Sequence, residues 1–182
     1  ASGLEASATE QNGVAIGHKA KNTSQSSVAI GENATSSKDM DVAIGKNAAA
    51  SGGESLSFGS DSKASGQATV AVGKESNASG SSAISAGYQS AAAGDNAVAV
   101  GKNTTAGATN AIAVGLRATA TGTRAIATGA GSSATGEQSL ANGFTAKASG
   151  ENSIAQGNAA NASAANATAI GTLSNASGVA SF

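Results

Sequence analysis

The 182 residues contain one histidine, His18, so any Ser–His–Asp relay would have to use it. His18 follows Gly17 and precedes Lys19, the setting of an exposed turn residue. Glu32, Glu75, Glu137 and Glu151 also occupy corners, each as a single acid. Acid–base work by carboxylates needs two of them within reach of one reacting group, and no such pairing is written here. The stretches GQATVAVGK at 66–74 and GDNAVAVGK at 94–102 look at first like phosphate loops. Their glycines are seven apart, however, and Lys74 and Lys102 are followed by Glu75 and Asn103 where Ser or Thr would have to hold magnesium. There is no cysteine, and no glycine–aspartate nonapeptide of the calcium-binding kind. The sequons at Asn33, Asn77, Asn161 and Asn175 are expected by chance in a chain rich in Asn, Ser and Thr. The expectation is a protein without catalytic residues, cofactor or metal, and so not an enzyme.

What the glycines do instead is keep time. One series falls every fourteen residues without exception, from Gly3, Gly17 and Gly31 through Gly101 to Gly157 and Gly171. A second series runs half a period later, at Gly52, Gly66, Gly80, Gly94, Gly122, Gly136, Gly150 and Gly178, and is broken by Ser24, Lys38, Ala108 and Ala164. Self-similarity at a fixed period is the signature of a solenoid, each repeat being one supersecondary unit stacked on its neighbours.

Composition agrees. Three Phe, one Tyr and no Trp cannot fill an ordinary globular core, and the 40% hydrophobic fraction is largely alanine. Ten basic and eleven acidic residues are scattered singly, giving a net charge of −1 and no basic patch for nucleic acid. No apolar run approaches the roughly 20 residues of a membrane-spanning helix. No signal peptide is evident, which suits a cytosolic protein or a piece of a longer one.

Two glycines seven apart imply two corners per repeat, with two segments of four to five residues between them. We therefore expect an all-β parallel β-roll or β-solenoid with fourteen-residue turns and two short strands per turn. About twelve turns at a strand spacing of roughly 4.8 Å make a rod roughly 55–60 Å long. Side chains alternate along a strand. One small-residue series, including Ala64, Ala78, Ala106 and Ala134, should therefore meet the other, including Ala29, Ala43, Ala99 and Ala127, inside the roll. Only Ala, Ser and Gly are expected to fit there.

The large aliphatics then point outward: Val28, Ile30, Val42, Ile44, Val70, Val72, Val98, Val100, Ile112, Val114, Ile126, Ile154 and Ile170, with Val14, Ile16 and Ile84 on the same rows. Such a row exceeds the few hundred Å² of apolar surface that soluble monomers leave exposed. At roughly 25 cal/mol per Å², leaving it wet would forfeit tens of kcal/mol. Another chain should cover it, most economically an identical one that presents the same face at the same height. The remaining outward face carries Ser or Thr in most turns, from Thr23, Ser37 and Ser51 to Ser163 and Ser177, and reads as a solvent face.

The phrases NGVAIG, SSVAIG, DVAIG, NAVAVG and NAIAVG, with GxxAxAxG following as at 45–52 and 115–122, closely resemble the head repeats of YadA-like trimeric autotransporter adhesins. The resemblance spans essentially residues 1–182, read as a single head array. It implies a left-handed roll, a homotrimer packed side by side, and display on a Gram-negative outer membrane. It also implies attachment to host extracellular matrix, with collagen, fibronectin or laminin as ligand. A neck, heptad stalk and membrane anchor are not recognised in the 182 residues, so a head fragment without membrane contact of its own is expected.

Two features stand out from the repeat. Toward the C-terminal end the outer row turns polar at Thr128, Asn142 and Gln156, which complete the expected trimer interface. On a three-fold axis these would form polar rings, either holding water or a small anion or serving packing and register. Tyr88, Leu116 and Phe144 occupy one corner position at intervals of 28 residues, with Leu173 one residue off. They form a candidate ligand strip or, alternatively, the edge of the subunit interface. Two other functions were weighed. An ice-binding solenoid using the Ser/Thr ladder is opposed by Lys21, Lys63 and Lys147 in the adjacent column. An acyltransferase of the left-handed β-helix type is opposed by the period of fourteen.

Overall fold

Each fourteen-residue period closes into one turn of two short strands and two corners. The computed structural model describes residues 1–181. The chain divides into two compact units, Ala1–Ser90 and Ala91–Phe182, built on the same plan. In the first unit, three-residue strands such as Val28–Ile30 and Val42–Ile44 alternate with two-residue strands such as Thr35–Ser36 and Ala49–Ala50. In the second, Ile112–Val114 and Ile126–Thr128 alternate with Thr119–Ala120 and Ser133–Ala134. Every recorded pairing within a unit is parallel and offset by one period, as Val28↔Val42 and Ile112↔Ile126 show. The fold is thus an all-β parallel solenoid without helix among the described residues.

The strands are shorter than the four to five residues expected, because the corners consume the remainder. At residues 31–34, the Ala34 N–H donates to the Gly31 carbonyl at 3.2 Å, while Asn33 holds φ at 54°. A left-handed third residue closed by an i→i+3 bond is the pattern of a type II turn. The same left-handed position recurs at every corner of both kinds, and Asn fills eight of its twenty-five non-glycine occurrences, because its short amide tolerates that conformation.

The two glycine series differ for a physical reason. Gly31 has φ of 132°, closed to residues with a Cβ, and a Cβ there would lie 2.4 Å from the Gly45 carbonyl oxygen of the next turn. That series therefore admits no exception. Gly52, in the second series, lies outside the left-handed region; a Cβ there would lie 1.8 Å from the Gly66 carbonyl oxygen, so a side chain needs the next turn's backbone to move but meets no forbidden φ. Ser24, Lys38, Ala108 and Ala164 stand at such positions.

The interior is alanine, as the alternation requires: Ala29, Ala43, Ala64, Ala78, Ala113 and Ala134 are all fully buried. The expectation that only Ala, Ser and Gly fit inside needs correction, however, because Asn22, Asp41, Thr69 and Thr104 are fully buried too. Each uses its polar atoms on the corner backbone. Thr69 Oγ1 donates to the Gly66 carbonyl at 2.9 Å, as Ser139 and Ser153 do to Gly136 and Gly150. Asn22 donates through Nδ2 to the Ser27 carbonyl and accepts from the Ser24 N–H. Room for its bulk comes from Gly13, where a Cβ would sit 2.8 Å from Asn22 Oδ1.

Asp41 rebuilds a whole corner. Its Oδ1 accepts from the Gly53 N–H at 2.9 Å, the Ser55 N–H at 3.1 Å and the Ser55 hydroxyl at 2.6 Å, and its Oδ2 accepts from the Lys38 N–H at 2.9 Å. A buried carboxylate is tolerable only when so many donors converge on it. The Ser55 N–H, which in other corners bonds back to the turn's first residue, is taken over by Asp41, while the corner at Lys38 keeps its own bond from the Asp41 N–H at 3.2 Å.

Candidate functional site

The three-residue strands present their first and third side chains outward and bury the second, giving a half-buried or exposed, buried, half-buried or exposed pattern along each. In the first unit Val28, Ile30, Val42, Ile44, Val70 and Val72 are half-buried by the rungs above and below, while Val14, Ile16 and Ile84 are exposed. In the second, Val98, Ile112 and Ile126 are half-buried, and Val100, Val114, Ile154 and Ile170 are exposed, Ile170 to 66%. The sequence reading passed over Leu56, Phe58 and Leu140, which complete these rows: Leu56 pairs with Val42 and Val70, and Phe58 with Ile44 and Val72. Their signal was position rather than residue type, since Phe58 precedes Gly59 as Ile30 precedes Gly31.

Thr128, Asn142 and Gln156 lie on successive rungs of the third-residue row in the second unit, in register with one another and with Val114 and Ile170 on either side. The Thr128 hydroxyl donates to Asn142 Oδ1 at 3.0 Å. No bond from the Asn142 amide N–H₂ or the Gln156 side chain to another described residue accompanies it.

The corner column beside these rows differs between the units. In the first unit it is charged. Lys46 pairs with Glu32 at 3.2 Å, Lys74 with Glu75 at 3.3 Å, and the Lys74 ammonium lies 5.8 Å from the centre of the Tyr88 ring. Hydrogen bonding to Glu75 and its charge hold the Lys74 pKa above its ordinary value. On the adjoining left-handed positions Asn33 donates to Asn47, and Asn47 to Asp61 at 2.8 Å; this last bond, with one from Ser60, is the main cause of a lowered Asp61 pKa. In the second unit the corner column carries Leu116 and Phe144, exposed to 48% and 61%, two turns apart with Ala130 between them. Tyr88, 37% exposed, occupies the equivalent corner of the first unit. Leu173 is off the column because it fills a left-handed position.

The residues weighed for chemistry remain apart. His18, Glu32, Glu137 and Glu151 are exposed on separate corners, and Lys74 and Lys102 each follow a glycine already committed to a turn. Two open grooves mark the first unit. One of about 440 Å³ is lined by Lys38, Asp39, Met40 and Glu54 among others, and one of about 370 Å³ by Asn47, Asp61, Lys63 and Glu75. Ligand sites usually enclose most of the molecule they bind, and these grooves are open to solvent.

A stacked array of similar rungs, with apolar rows outward and open grooves beside them, defines the class of β-solenoid repeat proteins. The family comparison agrees. The sequence model of the YadA head domain repeat matches residues 23–48, 50–76, 78–104, 106–132, 134–160, 148–174 and 162–182, so the chain belongs to that family. Among solved structures, the crystal structure of the collagen-binding domain of the Yersinia adhesin YadA is similar, with 27% sequence identity over 80% of each chain and a TM-score of 0.54. No curated protein sequence matches the chain. An adhesin role follows from this membership, as does the class of cell-surface proteins, and a non-enzymatic protein is consistent with both. The ice-binding alternative finds no support among these relatives.

Proposed function

We propose that this chain is the head segment of a homotrimeric adhesin that attaches a bacterium to extracellular matrix protein, collagen being the first candidate, by multivalent and non-catalytic contacts. The observation that carries the assembly reading is the pair of uncharged outward rows, in which residues such as Phe58 and Ile170 are at least half exposed in the single chain. Desolvating such rows against identical copies is the largest favourable term open to them. The resemblance supplies the number three and the left-handed coil. It also supplies anchorage to a Gram-negative outer membrane through regions outside these residues. Collagen enters because the similar Yersinia domain is described as collagen-binding. Shallow sites repeated from rung to rung and chain to chain suit a fibrous ligand, since weak contacts sum through effective concentration. The 182 residues act in this reading as one run of in-register repeats.

Light scattering across a range of concentrations tests the assembly. A mass of three chains supports it, and a folded, stable monomer removes it. Binding to immobilised collagen, fibronectin and laminin then tests the ligand class, and failure with all three removes the matrix reading. Tyr88, Leu116 and Phe144 are proposed as a ligand-contact strip, because exposed bulky side chains dominate binding energy when a partner covers them. Changing all three to Ser should lower matrix binding at least about tenfold while the mass of the assembly stays unchanged. Loss of assembly instead would place the strip at the edge of the subunit interface.

A further inference from the structure

The apolar rows have a weakness that follows from their regularity. In the first unit successive rungs read Val28/Ile30, Val42/Ile44, Leu56/Phe58 and Val70/Val72, nearly the same pair at each level. Two such faces packed together lose little when one slides by a whole rung, roughly 4.8 Å. Repetitive apolar seams specify register poorly, and a polar residue buried in the seam is the best-attested means of fixing it.

We infer that Thr128, Asn142 and Gln156 are a register lock, pairing with their own copies in neighbouring subunits so that the chains align level by level. This rests on the assembly reading above. The occupant of the face is a further copy of this chain, for two reasons. No charged residue stands on either row, from Val14 and Ile16 to Thr168 and Ile170, although charges crowd the adjacent corners. A partner must also repeat at the rise of one strand per level, which a second parallel solenoid of the same sequence does. The polar block is self-complementary as well. Hydroxyl and primary amide groups both donate and accept, and after the Thr128 to Asn142 bond the Asn142 amide N–H₂ still has donors to offer.

Aligned chains set Thr128 against Thr128, Asn142 against Asn142 and Gln156 against Gln156. A slip of one rung sets Thr128 against Val114 and Gln156 against Ile170, its neighbours on the row. Each end of the block then buries a polar group against an aliphatic side chain, and an unmade hydrogen bond costs more than a made one returns. The block thus penalises slip in either direction, while the aliphatic rungs supply affinity without discrimination.

The test mixes differently tagged chains, refolds them together and counts the species by native mass spectrometry. One chain is native. The other carries the block moved by one rung: Val114→Thr, Thr128→Asn, Asn142→Gln and Gln156→Ile. Each chain alone should give trimers, and mixed trimers should form with the two kinds of chain offset by one rung, so that Val98→Cys in the shifted chain cross-links to Ile112→Cys rather than to Val98→Cys in a native chain. A second variant, Thr128→Val with Asn142→Val and Gln156→Val, keeps the fold's outward aliphatic pattern. Its mixed trimers with native chains should fall several-fold below the binomial proportion found when two native chains with different tags are mixed, because valine then faces amides. Equal-level cross-linking in the first mixture together with binomial mixing of native chains with the second variant, all trimeric, would overturn the lock and leave the assembly intact. A native chain that stays monomeric would overturn the assembly reading and the lock with it.

Discussion

The two units share one frame and differ where the frame leaves freedom. Ala29 and Ala43 in the first, and Ala113 and Ala127 in the second, are equally and completely buried. The outward positions diverge. At the same corner column the first unit has Glu32, Lys46 and Lys74 engaged in ion pairs, whereas the second has Leu116 and Phe144 exposed. On the outward rows the first unit is aliphatic and aromatic from Ile16 to Val72, while the second is interrupted at Thr128, Asn142 and Gln156. Constraint inside and latitude outside is what a quasi-one-dimensional stack produces, since each rung must match only its neighbours. On this column the difference is one of emphasis, ion pairs beside Tyr88 in the first unit and two exposed apolar side chains beside Lys102 in the second. The second also has the polar seam of Thr128, Asn142 and Gln156.

The largest effect should come from breaking what the units share. Gly31→Ala and Gly143→Ala each force an L side chain into φ of 132° and 139°, with a Cβ 2.4 Å from the carbonyl oxygen of the next turn. Each should cost about 3 kcal/mol or more in chemical denaturation, as strain and overlap add. The equivalence of the frames predicts similar losses in both units, and a harmless change in one of them would show that the frames differ.

Next in size is a feature of the first unit alone. Asp41→Ala leaves the N–H groups of Lys38, Gly53 and Ser55 without the acceptor that replaces the corner's own bond. The expected loss is about 3 kcal/mol. The same interior column in the second unit offers Ser139, whose hydroxyl makes one bond, to the Gly136 carbonyl. Ser139→Ala should cost about 1 kcal/mol. Thermal melting of the two variants measures the contrast, and equal shifts would deny Asp41 its special part.

Much of this was legible in the sequence because the fold is periodic. Glycine spacing gave the turn, and two-fold alternation assigned Ala29 inward and Val28 outward before any coordinate was needed. What stayed hidden was of two kinds. Leu56, Phe58 and Leu140 depart from the Val/Ile pattern and so escaped a reading based on residue type, although their distance from the glycines marks them. The buried roles of Asn22 and Asp41 depend on contacts between turns: the space left by Gly13 and the amides of residues 53 and 55. No single-turn pattern encodes those. The left-handed corner position had a signal, in the asparagines at 12, 33, 47 and 103, that sequence patterning registered only as polarity.

A smaller test concerns one of those hidden contacts. Gly13→Ala places a methyl against Asn22 Oδ1, and Asn22→Ala opens space while removing the bonds to Ser27 and Ser24. Each alone should cost about 1–2 kcal/mol, and the double variant, which restores the alanine found at this level in later turns, should cost less than the sum. Strict additivity in a double-mutant cycle would mean that the two positions do not share the space.

The smallest effect separates the units by acid. Asp61 is half-buried at its corner, and its pKa is held below the ordinary carboxylate value chiefly by the hydrogen bond from Asn47, then by Ser60, with Lys74 and Lys46 adding to it and desolvation opposing. A lowered folded-state pKa means that ionised Asp61 favours the folded corner. That contribution is complete above the ordinary aspartate value and is lost as pH falls through the lowered one. The corresponding left-handed positions of the second unit hold Thr145 and Ala159, which do not titrate. Acidification should therefore loosen the corner at residues 59–62, seen as faster amide exchange, before it affects the corner at 143–146. Asn47→Ala should bring the Asp61 titration, followed by carboxyl carbon chemical shift, back toward the ordinary range. It should also shrink the acid-linked loosening, because the folded and unfolded pKa values then nearly coincide. An unmoved Asp61 titration in that variant would show that the neighbouring lysines, rather than the amide ladder, set its charge.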